Sequence, residues 1–305
     1  NTESGLLRAI GNSITPLIFL IVSSVINVIL DVLFMGPLHF GVQGAATATI
    51  LAQAISVILC SFYILKNYPQ LHMKREDLHV SSGFVMEMFV TGMSMALMNA
   101  VFSIGSVILQ SSLNALGNVY IAAQVGGRRL AELFMMPGTA LSTSTATFSS
   151  QNYGAGKLDR MRKSYFISLA YSFGVGLLLG GGLLLFGRQF LALFTTESAV
   201  IDAGMKRIMV MGLAYCISAF MDCTIAASRG LGKTIGPTVI VILGSCVFRV
   251  IWVYTIFAHF HTIPSLYLLY PFSWLLTAAA EIVYFIFSYR QAIRIFHEQE
   301  ALAQL

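Results

Sequence analysis

The chain has 305 residues, of which 57% are hydrophobic and only 10% are charged, and its formal net charge is +5. A soluble domain carries roughly 25% charged residues, so this composition excludes an ordinary soluble protein and predicts a polytopic membrane protein. The basic residues are spread through short loops rather than along one stripe, so the net charge does not indicate a nucleic-acid partner.

Eight apolar runs are long enough to cross a hydrocarbon core about 30 Å thick, which takes about 20 helical residues. In chain order they extend approximately from Thr15 to Met35, Gly41 to Ile64, Phe84 to Leu113, Asn118 to Phe148, Tyr165 to Phe194, Ala203 to Ser228, Pro237 to Phe260 and Leu266 to Tyr289. Pro137-Gly138 predicts an interruption of the fourth run. The predicted fold is an all-α integral membrane bundle of eight transmembrane helices.

One short turn occurs twice, at residues Arg8 to Pro16 and, 221 residues later, at Arg229 to Pro237. Both copies read Arg, small, aliphatic, Gly, polar, Ser or Thr, Ile, small or polar, Pro, and two apolar runs follow each. This offset is too long for a solenoid and indicates two large halves of one molecule. We expect each proline to occupy the first position of a helix and each arginine to stay at the lipid headgroups.

Loops rich in Lys and Arg alternate along the chain with loops that contain almost none of these residues. The rich loops hold Arg8; Lys66, Lys74 and Arg75; Lys157, Arg160, Arg162 and Lys163; Arg229 and Lys233; and Arg290 and Arg294, whereas the other loops have almost none apart from Arg188, Lys206 and Arg207 near span ends. The positive-inside rule predicts that the rich loops, both turns and the C-terminus are cytoplasmic in a plasma (inner) membrane. Within its own half of the molecule the second turn is preceded by four spans, from Phe84 to Ser228. We therefore expect four spans before the first turn as well, and twelve spans in a complete molecule.

Sites for metals and enzymatic chemistry are poorly supported. The four cysteines lie in apolar runs without a CxxC, and His259 and His261 have no neighbouring third ligand. Gly232-Lys233-Thr234 matches only the end of a P-loop, because Ala227 stands where the first glycine is required. We therefore expect neither an enzyme, nor a cofactor, nor a structural metal.

The order and spacing of several motifs resemble the multidrug and toxin extrusion (MATE) transporters, close to their bacterial branch. The carriers of the resemblance are Leu7 to Pro16, Asn27 to Asp31, Gly41 to Ala46, Phe134 to Pro137, Gln151 to Lys157, and Ser228 to Pro237 with Arg249 beyond. The resemblance implies two six-helix lobes related by a pseudo-twofold axis, a central cavity, and cation-driven export of organic, often cationic, compounds. On that pattern this chain is the C-terminal two-thirds of such a transporter. Residues 1–66 are the last two helices of the N-terminal lobe, 67–82 a cytoplasmic inter-lobe loop, 83–290 the complete C-terminal lobe and 291–305 a cytoplasmic tail.

Asp222 lies seven residues before Arg229, about 10 Å inside the cytoplasmic end of its helix. An ionised carboxylate is costly there, so Asp222 should be protonated, paired or beside a wet cavity, which makes it a candidate proton or sodium carrier. A structural ion pair is the alternative. The resemblance implies a coupling acid one turn earlier in some relatives, where this chain has Ser218.

Arg249 and Glu281 lie at similar depth on neighbouring antiparallel runs, about 18 Å beyond Pro237 and about 13.5 Å from Arg290 respectively. We predict a structural Arg249–Glu281 ion pair, with cation coupling or gating as the alternative. The candidates for a substrate cavity are the polar residues inside spans: Asn27, Asn99, Gln110, Asn114 and Ser218.

Three further polar or small-residue groups have simpler interpretations. Arg128 and Arg129 should pair locally with Glu132. The hydroxyl-rich segment from Leu141 to Gln151 either lines a cytoplasmic vestibule or joins helices, and the glycines at positions 174, 176, 180, 181 and 182 permit close helix packing.

We predict a secondary active exporter that works by alternating access, coupled to H⁺ or Na⁺, with Asp222, Glu281 and Arg249 as cation-coupling candidates and a possible Na⁺ site at Asp222. Its partners should be a small organic substrate and the lipid bilayer, and we expect a monomer. A lipid or lipid-linked-sugar flippase of the same superfamily, a membrane enzyme and a non-transporting fragment are the alternatives.

Overall fold

The computed structural model describes residues 2–72, 74, 77, 79–114 and 117–303, and these form helices and short turns. The chain divides into two compact units, Asn1–Phe84 and Val85–Leu305. Arg75 and Glu76, which belong to the predicted basic loop, lie outside the described residues.

All eight predicted runs are helical. The helices are α1 (Thr2–Ala9), α2 (Ile14–Met35), α3 (Gly41–Asn67), α4 (Ser82–Asn114), α5 (Asn118–Gly154), α6 (Leu158–Ala192), α7 (Ser198–Met211), α8 (Ala214–Gly230), α9 (Ile235–Phe260), α10 (Ile263–Tyr267) and α11 (Leu269–Ala303), with a 3₁₀ turn at Pro69–Leu71. The sixth run, however, falls on two helices, α7 and α8, and the eighth on α10 and α11. Two stretches of α9, Ile242–Val247 and Val253–Phe257, have π-helical hydrogen bonding.

By length and composition, six helices in the described part of the chain can cross a membrane, or seven if the bent pair α7 and α8 forms one span. The remaining predicted span is α5, which is not among the helices counted here. It is 37 residues long, but it carries Arg128, Arg129, Glu132 and a run of hydroxyl side chains, which make it less apolar than its neighbours.

Two details of the predicted spans are wrong. The fourth run is not interrupted at Pro137, because α5 continues through this residue as one helix. The sixth run is not continuous, because α7 and α8 meet at a 52° bend after Met211. A helix tolerates one proline where neighbouring groups satisfy the freed carbonyl, whereas packing against another helix can impose a bend that no proline marks.

The bend is packed against two glycines of α6 spaced four residues apart. A Cβ on Gly176 would lie 3.3 Å from the Cα of Cys216, and a Cβ on Gly180 would collide with the carbonyl oxygen of Gly212. Small residues at this spacing let two helix backbones approach closely inside a membrane. Of the five glycines predicted to serve packing, Gly174, Gly181 and Gly182 have no neighbour within 4 Å of such a Cβ.

The two copies of the repeated turn have the same backbone conformation. In the first, Gly11 has φ +92° and the Asn12 N–H donates to Leu7 O at 2.9 Å; in the second, Gly232 has φ +75° and the Lys233 N–H donates to Ser228 O at 3.1 Å. This bond and a left-handed glycine form the Schellman ending of a helix. Pro16 and Pro237 take the third position of the next helix rather than the predicted first, still within the turn whose N–H groups need no helical partner.

The first unit is a hairpin of α2 and α3 with α1 against it. Ser23 Oγ donates to Ala52 O at 2.6 Å between the long helices, and Ser61 Oγ donates to the Glu3 carboxylate at 2.6 Å to hold α1.

In the second unit, α8 lies among α5, α6 and α11 and is buried on almost all sides. One cluster around it contains Met161, Tyr165, Ala227, Leu231, Phe285 and Ala292, and another contains Met211, Met221, Ile225, Val241, Trp274 and Ala278. The most enclosed helix of the unit is therefore the one that carries Asp222.

Candidate functional site

A small cavity lies beside Asp222 between α5, α6 and α8. Its volume is about 30 Å³, which is room for a water-sized particle. The lining residues are Phe134, Met135, Gly138, Ser172, Val175, Gly176, Tyr215, Ser218, Ala219, Asp222 and Cys223. Asp222 is the one ionisable acid among them, and Ser218, one turn earlier on α8, shares the cavity.

The polar groups around the cavity have defined partners. Ser142 Oγ of α5 donates to the backbone oxygen of Asp222 at 3.2 Å, and Ser172 Oγ lies 3.0 Å from Cys223 Sγ. Tyr165 Oη lies 2.9 Å from Thr224 Oγ1 in the interior. These contacts fix α8 against α5 and α6, so the position of the Asp222 side chain is set by three helices.

Arg229 is the cation closest in sequence to this acid. It is partly buried, its Nη2 donates to Met98 Sδ at 3.3 Å, and its Nε is buried without a hydrogen-bond partner in the described part of the chain. It interacts electrostatically with both Glu281 and Asp222. Since helical side chains point towards the N-terminus, a spacing of seven residues directs Arg229 back along the face that holds Asp222.

Glu281 lies on α11 and is 0% exposed. Both of its carboxylate oxygens are buried, and neither has a hydrogen-bond partner among the described residues. The neighbouring cation is Arg229, but no pair of their atoms is within the 4 Å of an ion pair in the residues that the structure covers. A carboxylate that is buried without a partner is unfavourable when charged, because it has lost its hydration without gaining hydrogen bonds or an opposite charge in return.

The predicted Arg249–Glu281 ion pair is wrong for this structure. Arg249 Nε donates to Ser273 Oγ at 3.0 Å, and the guanidinium carbon lies 4.5 Å from the centroid of the Tyr270 ring. Glu281 is eight residues beyond Ser273 on α11, about 12 Å along the helix. Depth estimates from sequence ignored the tilt and rotation of the helices, which here bring Arg249 to Ser273 and Tyr270.

The predicted substrate-cavity residues are dispersed. Asn99 and Asn114 are exposed on α4, and Gln110 Nε2 donates to Asn114 Oδ1 at 2.9 Å along the same helix. Asn27, in the first unit, lies 3.5 Å from Thr49 Oγ1. Of this group, Ser218 alone lines the cavity of Asp222.

Two simpler predictions can be compared with the contacts. Glu132 pairs with Arg128 at 3.0 Å and with Arg129 at 3.3 Å on the exposed side of α5, as predicted. In the hydroxyl-rich segment, Thr143, Ser144, Thr145 and Thr147 donate to carbonyl oxygens four residues earlier in α5. Ser142 bonds to α8, so the segment contains hydroxyls that bond within their own helix and at least one that joins two helices.

Sequence reasoning also missed the burial of Arg207. It was placed near a span end, yet it is 6% exposed in α7, and its guanidinium lies 5.7 Å from the Tyr267 ring centroid. The sequence held no signal for this burial, because only the structure shows the Arg207 guanidinium against Gly127, where a Cβ would collide with it. For Arg229 the signal was its spacing from Asp222, which places both on one helix face.

The donor set around Asp222 suits a hard monovalent cation. A carboxylate and serine hydroxyls offer oxygen ligands, which Na⁺ and other hard cations prefer, and the carboxylate can equally take a proton. Among the described residues no group of three or more His, Cys, Asp or Glu side chains is placed to hold a metal ion.

Comparisons with known proteins agree on one family. The MatE family model matches residues 94–255, slightly more than half of the chain. The probable multidrug resistance protein YoeA of Bacillus subtilis is 26% identical over 241 residues, which are 77% of this chain and 52% of that protein. The probable multidrug resistance protein NorM of Thermotoga maritima is 26% identical over 252 residues, 78% of this chain and 52% of its own. The FAD transporter of Shewanella oneidensis is 26% identical over 213 residues, 68% of this chain and 47% of its own.

Solved structures agree with the fold. A crystal structure of MATE in the bent conformation has a TM-score of 0.83 at 21% identity and covers 98% of this chain and 66% of its own. An outward-facing multidrug resistance MATE family transporter of the MOP superfamily has a TM-score of 0.81 at 22% identity, over 97% of this chain and 66% of its own. The chain spans about half the length of the curated relatives named above. By the family match and the shared helical fold, this chain belongs to the MatE (MATE) family.

Proposed function

We propose that the chain is part of a cation-coupled antiporter that exports organic, cationic compounds by alternating access. The observation that carries the proposal is the placement of Asp222, a carboxylate in the most enclosed helix of the second unit, beside a cavity large enough for a single small particle. Two of the relatives above are named as probable multidrug resistance proteins, which supports export of organic compounds. The aromatic rings of Phe134 and Tyr215 in the cavity lining favour a cationic species near the acid.

Coupling follows from competition between the arriving cation and Arg229. When Asp222 is charged, it attracts the guanidinium along the same face of α8. When a proton or Na⁺ neutralises Asp222, the attraction of Arg229 shifts towards Glu281 on α11. A cation that binds one arrangement better than the other shifts the population between them, which is the requirement for alternating access.

The coupling ion is H⁺ or Na⁺ on this proposal. Asp222 and Ser218 supply oxygen donors for Na⁺, and the carboxylate alone suffices for a proton. In this proposal Asp222 binds the cation, and Arg229 responds to the binding because its attraction shifts from Asp222 to Glu281. Arg249 stabilises the packing of α9 against α11. Asn27, Asn99, Gln110 and Asn114 stay predicted substrate contacts.

The wider architecture is also a proposal. All eight long runs, including α5 and the bent pair, would span the membrane: the two in residues 1–66 as the end of one lobe and the six in residues 83–290 as the other, with 67–82 and 291–305 on the cytoplasmic side. The shared conformation of the two turns supports two related halves. The alternation of Lys and Arg supports a cytoplasmic C-terminus in the plasma membrane, and we propose a monomer that handles a small organic molecule without nucleic acid.

A flippase for lipids or lipid-linked sugars is the rival within the superfamily. Such a substrate carries phosphate, and its cavity should be basic. The described lining of the Asp222 cavity contains no Lys or Arg, which favours a cation at this place over a phosphate.

The test is efflux of a fluorescent organic cation from proteoliposomes, with pH and sodium gradients imposed separately. We expect efflux with one of the two gradients and its loss in Asp222→Asn. The matched control is Asp202→Asn, the same change at an acid on α7 that pairs with Arg188 at 2.9 Å outside the cavity. The control should keep wild-type coupling. Gradient-driven efflux by folded Asp222→Asn at the wild-type rate would refute the role of Asp222, and no efflux by wild type under either gradient would refute the antiporter.

A further inference from the structure

Arg249 is a partly buried cation that has no acidic partner among the described residues. Its Nε donates to Ser273 Oγ, its guanidinium carbon lies 4.5 Å from the centroid of the Tyr270 ring, and its Nη2 is buried without a hydrogen-bond partner in the described part of the chain. No Asp or Glu oxygen lies within 4 Å of it among the residues that the structure covers. The aromatic ring compensates part of the charge, but the outer nitrogen is left without an acceptor.

The guanidinium cannot relieve this situation by losing its proton. Arg remains charged in proteins, so a membrane-spanning helix that buries it must supply an anion or water beside it. Its five donors are fixed in a plane, and the bond to Ser273 uses Nε, which leaves the outer edge of the fork for another acceptor. That edge needs an acceptor that this chain does not supply in the described residues.

A cavity lies where such an acceptor would sit. Its volume is about 20 Å³, and it is lined by α4, α9 and α11, with Ser106, Leu109, Arg249, Val253 and Tyr270 among the lining side chains. Ser106 Oγ donates to Phe102 O at 3.0 Å, and its hydroxyl can rotate to donate into the cavity instead. The space admits one particle of about the size of water, and the remaining walls are mostly apolar.

The helix that carries Arg249 is irregular on both sides of it. The π-helical stretches Ile242–Val247 and Val253–Phe257 flank the five-residue α-helical segment that contains Arg249. Such π-bulges occur frequently at functional sites. On one side, Ser245 Oγ lies 3.1 Å from Thr277 Oγ1, so a row of polar contacts joins α9 to α11 and ends at the cavity.

We propose that this cavity binds one small monovalent anion, of the size of chloride, as the counter-ion of Arg249. The anion accepts from Nη2 and from the Ser106 hydroxyl and neutralises the guanidinium in place of a carboxylate. Larger anions such as sulfate and phosphate do not fit a space of this volume. The anion joins α4 to the α9–α11 pair through charge, so it should stabilise the folded protein.

The first test is thermal unfolding of the purified protein in gluconate buffer, titrated with chloride, bromide or sulfate at constant ionic strength. A ligand that binds the folded state alone raises the unfolding midpoint with its concentration. We expect chloride and bromide to raise it by at least about 2 °C at saturation and sulfate to leave it unchanged. Arg249→Gln should lose the halide effect. The control Arg188→Gln, which removes an exposed cation on α6, should keep it.

A second measurement covers the case in which Arg249→Gln fails to fold. Wild-type crystals grown in bromide should give an anomalous peak within hydrogen-bond distance of Arg249 Nη2. A halide shift of the same size in folded Arg249→Gln would overturn the proposal, because the anion would then bind elsewhere. Absence of both a halide-specific shift and anomalous density in wild type would also overturn it and assign the space to water.

Discussion

Replacement of Gly180 by alanine should destabilise the protein through one contact that the structure defines. The new Cβ would collide with the carbonyl oxygen of Gly212 and lie 2.9 Å from its carbonyl carbon. These are backbone atoms at the bend between α7 and α8, so no side-chain rotation can relieve the overlap. The helices would have to separate, and α8 carries Asp222.

The magnitude follows from two opposing effects. Alanine in place of glycine inside a helix gains about 0.5–1 kcal/mol from helix propensity and reduced backbone entropy. Overpacking of a tight contact costs about 1–3 kcal/mol, and a backbone-to-backbone overlap should fall in the upper part of that range. The matched control is Gly181→Ala, the same chemical change at the next residue, where a Cβ meets nothing within 4 Å. The two variants should therefore differ by about 2–3 kcal/mol in the free energy of unfolding.

The assay is thermal unfolding of both variants and the wild type in the same detergent, followed by intrinsic fluorescence. A difference of 2–3 kcal/mol corresponds to about 4–10 °C between the two midpoints, with Gly180→Ala below the wild type and Gly181→Ala at or above it. Because the bend positions Asp222, Gly180→Ala should also reduce gradient-driven efflux more than its control does. Equal midpoints for the two variants would refute the idea that this close approach holds the bend.

Two further predictions concern the packing of α8. Gly230→Ala should lower the free energy of unfolding by about 1–3 kcal/mol, because its Cβ would collide with Ser149 and lie 3.0 Å from the Ser150 nitrogen. The control Gly154→Ala, whose Cβ meets nothing within 4 Å, should not be destabilised. Equal unfolding midpoints for the two variants would contradict this prediction. Tyr165→Phe removes the 2.9 Å hydrogen bond to Thr224 and should cost about 1 kcal/mol in denaturant unfolding, whereas Tyr171→Phe on the exposed face should be neutral. A loss of the same size in both would mean that the hydroxyl at position 165 contributes nothing specific.

Much of the fold could be predicted from local patterns. The apolar runs are long, and loops rich in Gly, Pro, Lys and Arg separate them, so the predicted runs are helical even where the sixth and eighth are each divided between two helices. The repeated turn is predictable for the same reason, since a glycine in the left-handed conformation ends the helix and the next begins within a few residues. The pairing of Glu132 with Arg128 and Arg129 depends only on helical spacing, and the structure contains it.

The candidate site could be predicted only in part. Asp222 was found because an acid inside an apolar run is costly wherever it points. The partial burial of Arg229 was missed, because its position at a helix end suggested the headgroups, whereas its Nε is buried. The bend after Met211 was missed as well, since no proline marks it and the glycines packed against it, Gly176 and Gly180, belong to another helix.

Local patterns in the sequence identify the apolar helical segments and the polar residues that lie within them. Which of these polar groups meet depends on the tertiary structure, which brings Arg249 to Ser273 and Tyr270 rather than to Glu281 and places Asp222 beside a cavity between three helices. The physical reason is that a side chain's depth follows from counting residues at 1.5 Å each, whereas its partner depends on helix rotation and tilt. These are set by the packing of small and large side chains from distant parts of the chain.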